Sequence, residues 1–445
     1  NGLNLEQLSP ELQQDEEIVR AAISQDGAAL KYTSALLRDR LDLITLSTKS
    51  NPAAFQYASQ RHKNNKQLIL KLMKYHASVF CYASETIRSD KAVVEAAIKQ
   101  HGSLLFFAHK KFRENKKMVL AALENKAELI VAGESLKENK AFVIAAIQKY
   151  GSSLAHVSIR LKNDWDVVHV AVTESVHNLK YASLRLQRDK DIVLLAVQNK
   201  EFLSINALDP KFKNDRDIVL AAVKKYGWQL YLVNRHFRND LQVVLAAVEN
   251  IGSVLMLASS ALKKRFTVVL GAVKQNGLAL QYASIFFKRN KAIVEAAIKQ
   301  NGLALQYAYS KLQNDAELVL QAIEQNPLAL KYASRTLRNN KNVVLAAVSK
   351  NGLALKFASS QLKDDPEVVA AALEQNSLAL QHVGQEFINN EKILLAALSN
   401  NGLALQYVDF SLKNIKKIVL PAVQQNGLAL QYASANLQKD KEVVL

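Results

Sequence analysis

NGLALQYAS occupies residues 276–284 and occurs again, unchanged, at residues 426–434. Close copies lie between the two: NGLALQYAY begins at 301, NPLALKYAS at 326, NGLALKFAS at 351 and NGLALQYVD at 401. Aligning the chain on the second residue of this segment gives 18 starts. Of the 17 steps between them, 15 are 25 residues long, one is 24 (127 to 151) and one is 26 (176 to 202). Such a fixed short period indicates an array of one supersecondary unit.

The composition is that of a folded protein. With 445 residues the chain is too long for one conventional core, which leaves several domains or a solenoid. No linker or low-complexity segment interrupts the repeats, so we expect one continuous domain over residues 1–445. Because the chain begins at the start of one repeat and ends at Val443-Val444-Leu445 inside another, we expect it to be a fragment of a longer protein.

The second half of each repeat predicts a helix of about ten to twelve residues. Asp or Asn stands three residues before an apolar run in 15 of 18 repeats, where a helix N-cap belongs; the exceptions are Arg40, Arg265 and Ile415. Gly stands at 11 of the 18 starts, a pattern typical of the left-handed residue that ends a helix. Pro421 falls inside one of these predicted helices, where we expect a local kink.

The first half of the repeat also predicts a helix, from Leu278 to Phe287 in one copy. Its residues Leu280, Ala283 and Phe287 have the spacing of one helical face, whereas Gln281 and Ile285 fall on the expected exposed edge. An alternative is a leucine-rich repeat, in which the run VVLAAV would be a strand. A leucine-rich repeat needs an Asn or Cys two residues before the leucine that closes its strand. Here the Asp/Asn row precedes the apolar run instead, and this favours paired helices.

The repeats resemble a known family. Units of the form NGLALQYASxxLKNDKxVVLAAVxQ are similar to the bacterial repeats called domain of unknown function 4116, whose unit of about fifty residues corresponds to two of these repeats. The resemblance implies a context of large proteins of Legionella and related intracellular bacteria, many of them secreted effectors. It therefore implies a protein that stays in the cytoplasm or is translocated into a host cell. It brings no catalytic residues.

No motif in the sequence predicts catalysis. The nine histidines form no HExxH pair, and the nucleotide-binding and nucleophile motifs GxxxxGK[ST], GxGxxG and GxSxG do not occur. Because Cys81 is the single cysteine, the chain cannot form an internal disulfide. We expect Cys81 to be buried as a small apolar residue. No run of 18 apolar residues occurs, so we expect a soluble protein without a transmembrane segment. We predict neither a metal, nor a cofactor, nor an enzyme.

Charge is the strongest functional signal. Lys and Arg total 58 against 40 Asp and Glu, a formal charge of +18. Thirteen of 18 repeats carry a cation directly after the last apolar residue of the first segment, and we call this set the basic row. Its members are Arg38, Lys63, Arg88, Arg113, Lys137, Lys162, Lys213, Arg238, Lys263, Lys288, Arg338, Lys363 and Lys413. Stacked repeats would align them as a binding edge. A cation there would also complement a helix C-terminus, and this purely structural interpretation stays open.

The tyrosines also admit two interpretations. Tyr282 and its equivalents share one position of the repeat, where Phe107 and Phe357 replace Tyr. A nucleic-acid reader would expose such rings beside basic residues, so that bases can stack on them. Replacement by Phe, and by Leu232 and Leu257, favours rings that pack between repeats.

The sequence thus predicts an all-α protein, an α-solenoid (superhelix) of about 18 two-helix repeats with a 25-residue period. We expect a non-catalytic repeat scaffold that binds a partner macromolecule, foremost an acidic host protein. Nucleic-acid or anionic-membrane binding through the basic row is an alternative. A further alternative is an accessory domain of an enzyme whose active site lies outside this chain. The sequence leaves the oligomeric state undetermined.

Overall fold

The computed structural model describes residues 2–444, in which the regular elements are all helical. Most repeats contain three elements in order: a 3-10 helix, a short helix and a long α-helix. The predicted all-α solenoid is confirmed. Leu445, the residue with which the chain ends, lies outside the described residues.

The chain forms two compact units, the first of which comprises residues 2–203 and 207–209. Its long helices are Glu16–Gln25, Leu41–Ser50, Lys66–Met73, Lys91–Gln100, Lys116–Glu124, Lys140–Tyr150, Trp165–Glu174 and Lys190–Gln198. Its 3-10 helices are Gly2–Gln7, Gly27–Tyr32, Pro52–Tyr57, Ala77–Tyr82, Gly102–Phe107, Leu129–Val131, Leu154–His156 and Val176–Tyr181. Its short helices are Leu12–Gln14, Ala35–Arg38, Gln60–Lys63, Glu85–Arg88, Lys110–Arg113, Glu134–Lys137, Ile159–Lys162 and Leu184–Gln187.

The second compact unit comprises residues 204–206 and 210–444. Its long helices are Arg216–Lys225, Leu241–Asn250, Phe266–Gln275, Lys291–Gln300, Ala316–Gln325, Lys341–Val348, Pro366–Gln375, Glu391–Asn400, Lys416–Gln425 and Lys441–Val444. Its 3-10 helices are Gly227–Tyr231, Gly252–Leu257, Gly277–Tyr282, Gly302–Tyr307, Pro327–Tyr332, Gly352–Phe357, Ser377–His382, Gly402–Tyr407 and Gly427–Tyr432. Its short helices are Pro210–Asn214, Arg235–Asn239, Leu262–Lys264, Ile285–Lys288, Leu312–Asn314, Arg335–Arg338, Ser360–Lys363, Leu412–Asn414 and Leu437–Lys439. The 3-10 helix Ile205–Ala207 has residues in both units.

The long helices begin where the N-cap pattern predicts. Asp90, for example, accepts a hydrogen bond from the backbone N–H of Val93 through its side chain, at 3.1 Å. The three exceptions, Arg40, Arg265 and Ile415, make no side-chain cap, as expected for residues without a short acceptor. Pro421 lies inside the long helix Lys416–Gln425, as predicted, whereas the expected kink stays a prediction.

The first segment differs from the prediction, because it is not one helix from Leu278 to Phe287. The backbone is extended at Ala283 (ψ 154°) and at Ser284 (ψ 156°), which separates the 3-10 helix from the short helix. The serine at this position favours such a break, since its hydroxyl can cap the following turn: Ser334 Oγ accepts from Leu337 N at 3.2 Å. The predicted burial of Leu280, Ala283 and Phe287 is confirmed. Of the two residues expected at the exposed edge, Ile285 is exposed whereas Gln281 is half-buried.

The glycines at the repeat starts do not end helices in the left-handed conformation, so that prediction is wrong for all but one. Within residues 2–444, positive φ occurs at Gly151 and Lys126. Except for Gly427, the other glycines at the repeat starts allow a close approach: a Cβ added to Gly277 would lie 2.3 Å from the carbonyl oxygen of Ala297 in the long helix of the same repeat. The position of Ala297 is itself buried, which explains the row of small residues there.

Candidate binding edge

The basic row lies at the end of the short helix of each repeat, between the 3-10 helix and the long helix. In both compact units every member of the row is half-buried. The aliphatic part of each side chain therefore packs against the repeat while the charged end stays near the surface. The structure brings row members together only through repetition, one per repeat, and not as a cluster around a pocket.

Four of the row's lysines bind backbone carbonyls of their own repeat. Lys288 Nζ donates to the carbonyl oxygen of Gln281 at 2.7 Å, and Lys263 Nζ donates to that of Met256 at 2.7 Å. Lys162 and Lys413 make the same bond to residues seven positions earlier. These carbonyls end the 3-10 helix, where unpaired acceptors accumulate. The row therefore has a capping role that the helix-terminus interpretation anticipated.

The glutamines that replace the cations also donate hydrogen bonds to carbonyl oxygens at the end of the 3-10 helix. Gln187 Nε2 donates to the carbonyl oxygens of Lys180 at 3.2 Å and Ala182 at 2.8 Å. Gln438 repeats this arrangement with Gln431 and Ala433. A neutral donor is thus sufficient for the cap, and the positive charge at most repeats is additional to what the cap requires.

The arginines of the row fit less well than the lysines. Arg88 and Arg113 reach the next repeat, where they donate to the carbonyl oxygens of Phe107 at 3.1 Å and Val131 at 3.2 Å. The Nε atoms of four row arginines are buried without a hydrogen-bond partner, namely those of Arg38, Arg88, Arg238 and Arg338. Burying a donor without a partner costs stability. The arginines are thus not the optimum for the local structure.

Burial also shifts the pKa of two row members. It lowers the pKa of the Lys63 and Lys288 ammonium groups, because the charged form loses hydration in the half-buried position. An acidic partner at this position would favour the charged form again and raise these pKa values.

Most of the row has no carboxylate partner. Across residues 2–444, Lys137 is the one member of the row that makes an ion pair, with Glu134 at 3.1 Å. The cations of the row therefore meet neutral carbonyl oxygens, and for most of them no carboxylate neutralises the positive charge. Repeats stacked in one compact unit carry an uncompensated positive charge at the same position.

A second set of lysines, at the start of the long helices, is neutralised. Lys291 Nζ lies 2.9 Å from Asp315 and 3.0 Å from Glu317 of the next repeat. Lys341 pairs in the same way with Asp365 at 3.0 Å and Glu367 at 2.8 Å. The hydrogen bond from Lys291 lowers the pKa of Asp315, and the paired carboxylates raise the pKa of Lys291. The carboxylates of the repeat thus neutralise lysines at the long-helix starts, and the basic row keeps its positive charge.

Sequence reasoning missed the serine that joins neighbouring repeats. Ser359 donates its backbone N–H to the carbonyl oxygen of Arg338 at 2.9 Å, and its hydroxyl to Asn339 Oδ1 at 2.5 Å. Ser434 makes the equivalent bonds to Lys413 and Asn414. A serine and an Asn that recur at fixed positions in many repeats were the available signal. The backbone carbonyls of Arg338 and Lys413 are thus fixed by bonds from the following repeat.

The tyrosines of the shared register position are mostly half-buried, with Tyr181 more exposed. Half-buried rings favour packing between repeats over stacking on bases. Lys180, Lys31 and Lys331 lie over neighbouring tyrosine rings, with Nζ 4.8 to 5.3 Å from the ring centre. These contacts place part of the cation excess against aromatic faces.

The remaining candidate groups are the single cysteine and the side chains able to bind a metal ion. Cys81 is half-buried, and burial raises the pKa of its thiol, which disfavours the nucleophilic thiolate. Among residues 2–444, no three His, Cys, Asp or Glu side chains are placed to hold a metal ion. Over the same residues, none of the helices is both long enough and apolar enough to cross a bilayer.

The comparison with protein families gives matches along the chain. The model described as Domain of unknown function (DUF4116) matches residues 1–38, 41–88, 90–137, 139–186, 189–237, 215–263, 266–313, 315–363, 365–413 and 416–445. Matches such as 41–88 begin at a long helix and end on a basic-row residue two repeats later, so the family unit contains two of the structural repeats. No curated protein matches the chain.

Proposed function

The chain belongs to the domain of unknown function 4116 family, and we propose that it is a non-catalytic scaffold that binds an acidic protein through the basic row. The observation that carries the proposal is the separation of charge in the repeat. Lys291 and Lys341 at the long-helix starts are paired with carboxylates, whereas within residues 2–444 Lys137 is the one row member with such a pair. Arrays of helical repeats offer long continuous surfaces that suit protein partners.

The glutamine-containing repeats support the same proposal. Since Gln187 and Gln438 make the cap without a charge, the cations in other repeats add a positive potential that the fold does not need. Complementary charge raises association rates and excludes partners of the wrong sign. We extend the proposal to a bacterial effector that acts on a host protein, the context that the family resemblance implies.

The experiment compares the protein with a variant in which Lys213, Arg238, Lys263 and Lys288 are replaced by Gln. All four lie in the second compact unit. Both proteins are immobilised and exposed to a cell extract, with and without nuclease treatment, at low and physiological salt, and the retained proteins are identified by mass spectrometry. We expect a set of acidic proteins that the Gln variant retains much less. Equal retention by both proteins, or a loss of all retention after nuclease treatment, would contradict the proposal.

A further inference from the structure

One region of the second compact unit departs from the repeat in both charge and hydrophobicity. Residues 250–294 contain seven Lys or Arg and neither Asp nor Glu. Within this region Lys264, Arg265, Phe266, Ile285, Phe286 and Arg289 form a surface that we call the cationic–apolar patch. Ile285 is 59% exposed, Phe286 66% and Phe266 46%.

Ring contacts show that the apolar members of the patch are contiguous. The buried ring of Phe287 lies between the two exposed ones, with centroid distances of 6.2 Å to Phe266 and 5.1 Å to Phe286. Ile285 precedes Phe286 on the same short helix. Phe287 therefore links the two exposed rings in one aromatic cluster, and Ile285 adjoins Phe286 in the chain.

The cations of the patch are free of carboxylates. Among residues 2–444, neither Lys264 nor Arg265 has an ion-pair partner, and Arg289 lies over the ring of Tyr309 at 4.1 Å. Lys264 and Arg265 precede Phe266 directly in the chain. Positive charge and exposed apolar surface therefore occur together.

The neighbouring repeats show what the fold would otherwise place at these positions. Asp240 and Asn290 cap their long helices, whereas Arg265 makes no side-chain cap. Lys291 at the next helix start makes the inter-repeat ion pair, whereas Phe266 occupies the same position here. Two interactions that stabilise other repeats are thus absent from this one.

A third stabilising contact is also lost. Asn239 and Asn314 accept the hydroxyl of the serine in the following repeat. Lys264 stands at that position here, and the hydroxyl of Ser284 is buried without a partner. Departures from a local rule that lower stability without a structural gain are typical of functional surfaces.

We propose that the cationic–apolar patch docks this protein on an anionic lipid bilayer. Ile285 and Phe286 enter the boundary between head groups and acyl chains, and Lys264, Arg265 and Arg289 contact anionic head groups. Side chains exposed by more than half project outwards, which suits insertion into a soft, deformable surface. Clustered cations beside them add electrostatic attraction to acidic lipids. The proposal uses residues outside the basic row and does not rest on the function proposed above.

The test measures sedimentation of the full chain with vesicles of phosphatidylcholine alone and of phosphatidylcholine with phosphatidylserine. The first variant, Lys264→Asn with Arg265→Asp, restores the residues that other repeats carry. It should bind the anionic vesicles more than about tenfold more weakly. Its thermal midpoint should stay unchanged or rise, because the N-cap and the serine partner return. A purely structural patch would show the gain in stability without the loss of binding.

The second variant, Ile285→Ser with Phe286→Gln, introduces the residues found at these positions as Ser360 and Gln361. It removes the insertion and should weaken binding by a similar factor while the cations remain. Two changes elsewhere serve as controls. Phe410→Ser removes an 82% exposed ring that stands beside Asp409, and Ile415→Asp restores another missing cap. Neither should alter vesicle binding.

Binding to the anionic vesicles that both patch variants lose and both controls keep would support the proposal. It would be overturned if the unaltered chain failed to sediment with anionic vesicles, if it sedimented equally with the neutral ones, or if the patch variants bound as well as the unaltered chain. The row variant with four Gln substitutions leaves Ile285, Phe286 and the three patch cations intact. Its behaviour therefore separates failure of this proposal from failure of the proposed protein binding.

Discussion

The ammonium nitrogen of Lys288 lies 2.7 Å from the carbonyl oxygen of Gln281, the last residue but one of the preceding 3-10 helix. The same side chain is half-buried and has no carboxylate partner within residues 2–444. It therefore caps a helix terminus and, at the same time, contributes uncompensated charge to the surface. Because these two roles belong to one residue, a substitution must separate them before either can be measured.

Lys288→Gln and Lys288→Met separate the two roles. Gln keeps a donor for the carbonyl, as Gln187 does, so we expect little change in local stability. Met keeps much of the aliphatic packing but removes the donor, and should lower the free energy of unfolding by about 1 kcal/mol. Hydrogen exchange of the amides from Leu280 to Ala283 measures the effect. Equal protection in the two variants would show that the bond to Gln281 contributes nothing.

Arg338→Lys should stabilise the protein. The Nε of Arg338 is buried without a partner, whereas a lysine at this position can reach the carbonyl seven residues earlier, as Lys413 does. Removing a buried unpaired donor should raise the free energy of unfolding by up to about 1 kcal/mol. Urea denaturation followed by circular dichroism provides the measurement. A destabilised variant would mean that the guanidinium makes a contribution that its contacts do not reveal.

Gly277→Ala tests the close approach at the repeat start. Its new Cβ would lie 2.3 Å from the carbonyl oxygen of Ala297, so the 3-10 helix must shift. Ala77 and Pro52 show that a repeat can make such a shift, which limits the expected loss to about 1 kcal/mol. Gly427→Ala is the matched control, because a Cβ there meets no atom within 4 Å. A similar loss in both variants would indicate a backbone effect of glycine rather than a contact with Ala297.

The ion pairs at the long-helix starts predict a dependence on acid. The hydrogen bond from Lys291 lowers the pKa of Asp315 below its ordinary value of 3.8. A carboxylate with a lowered pKa in the folded state stabilises the fold above the ordinary value, and this contribution is lost as the pH falls through the lowered pKa. The second compact unit should therefore lose stability below about pH 4. Asp315→Asn should make the stability of its repeat less sensitive to pH in this range, as measured by urea denaturation at several pH values. An unchanged pH dependence would contradict the role assigned to the pair.

Much of the fold could be predicted from the sequence because the same pattern is repeated along the chain. The period, the N-caps such as Asp90 and the buried positions such as Leu280 each recur many times, so single exceptions do not hide them. The break at Ala283 and Ser284 was not predicted. Helical spacing of apolar residues persists across a short extended step, and burial alone does not distinguish one helix from two.

The candidate site was predictable in position but not in detail. The register of Lys288 identified the basic row, yet the sequence does not show which carbonyl its ammonium meets. Likewise, a glycine at a repeat start fits both a left-handed cap and a close approach. The distance from Gly277 to Ala297 decides between them, and it depends on how the 3-10 helix packs on the long helix. The role of Ser359 was missed because its partners belong to the previous repeat.

The proposed function of the basic row is the recognition of acidic protein. Its most direct test is the affinity of a labelled polyglutamate peptide for the unaltered chain and for the variant with Gln at residues 213, 238, 263 and 288, measured by fluorescence anisotropy at low and physiological salt. We expect folded proteins of similar stability, with affinity for the peptide reduced more than about tenfold in the Gln variant at low salt, mainly through slower association. Equal affinities of the two proteins for polyglutamate at both salt concentrations would contradict it.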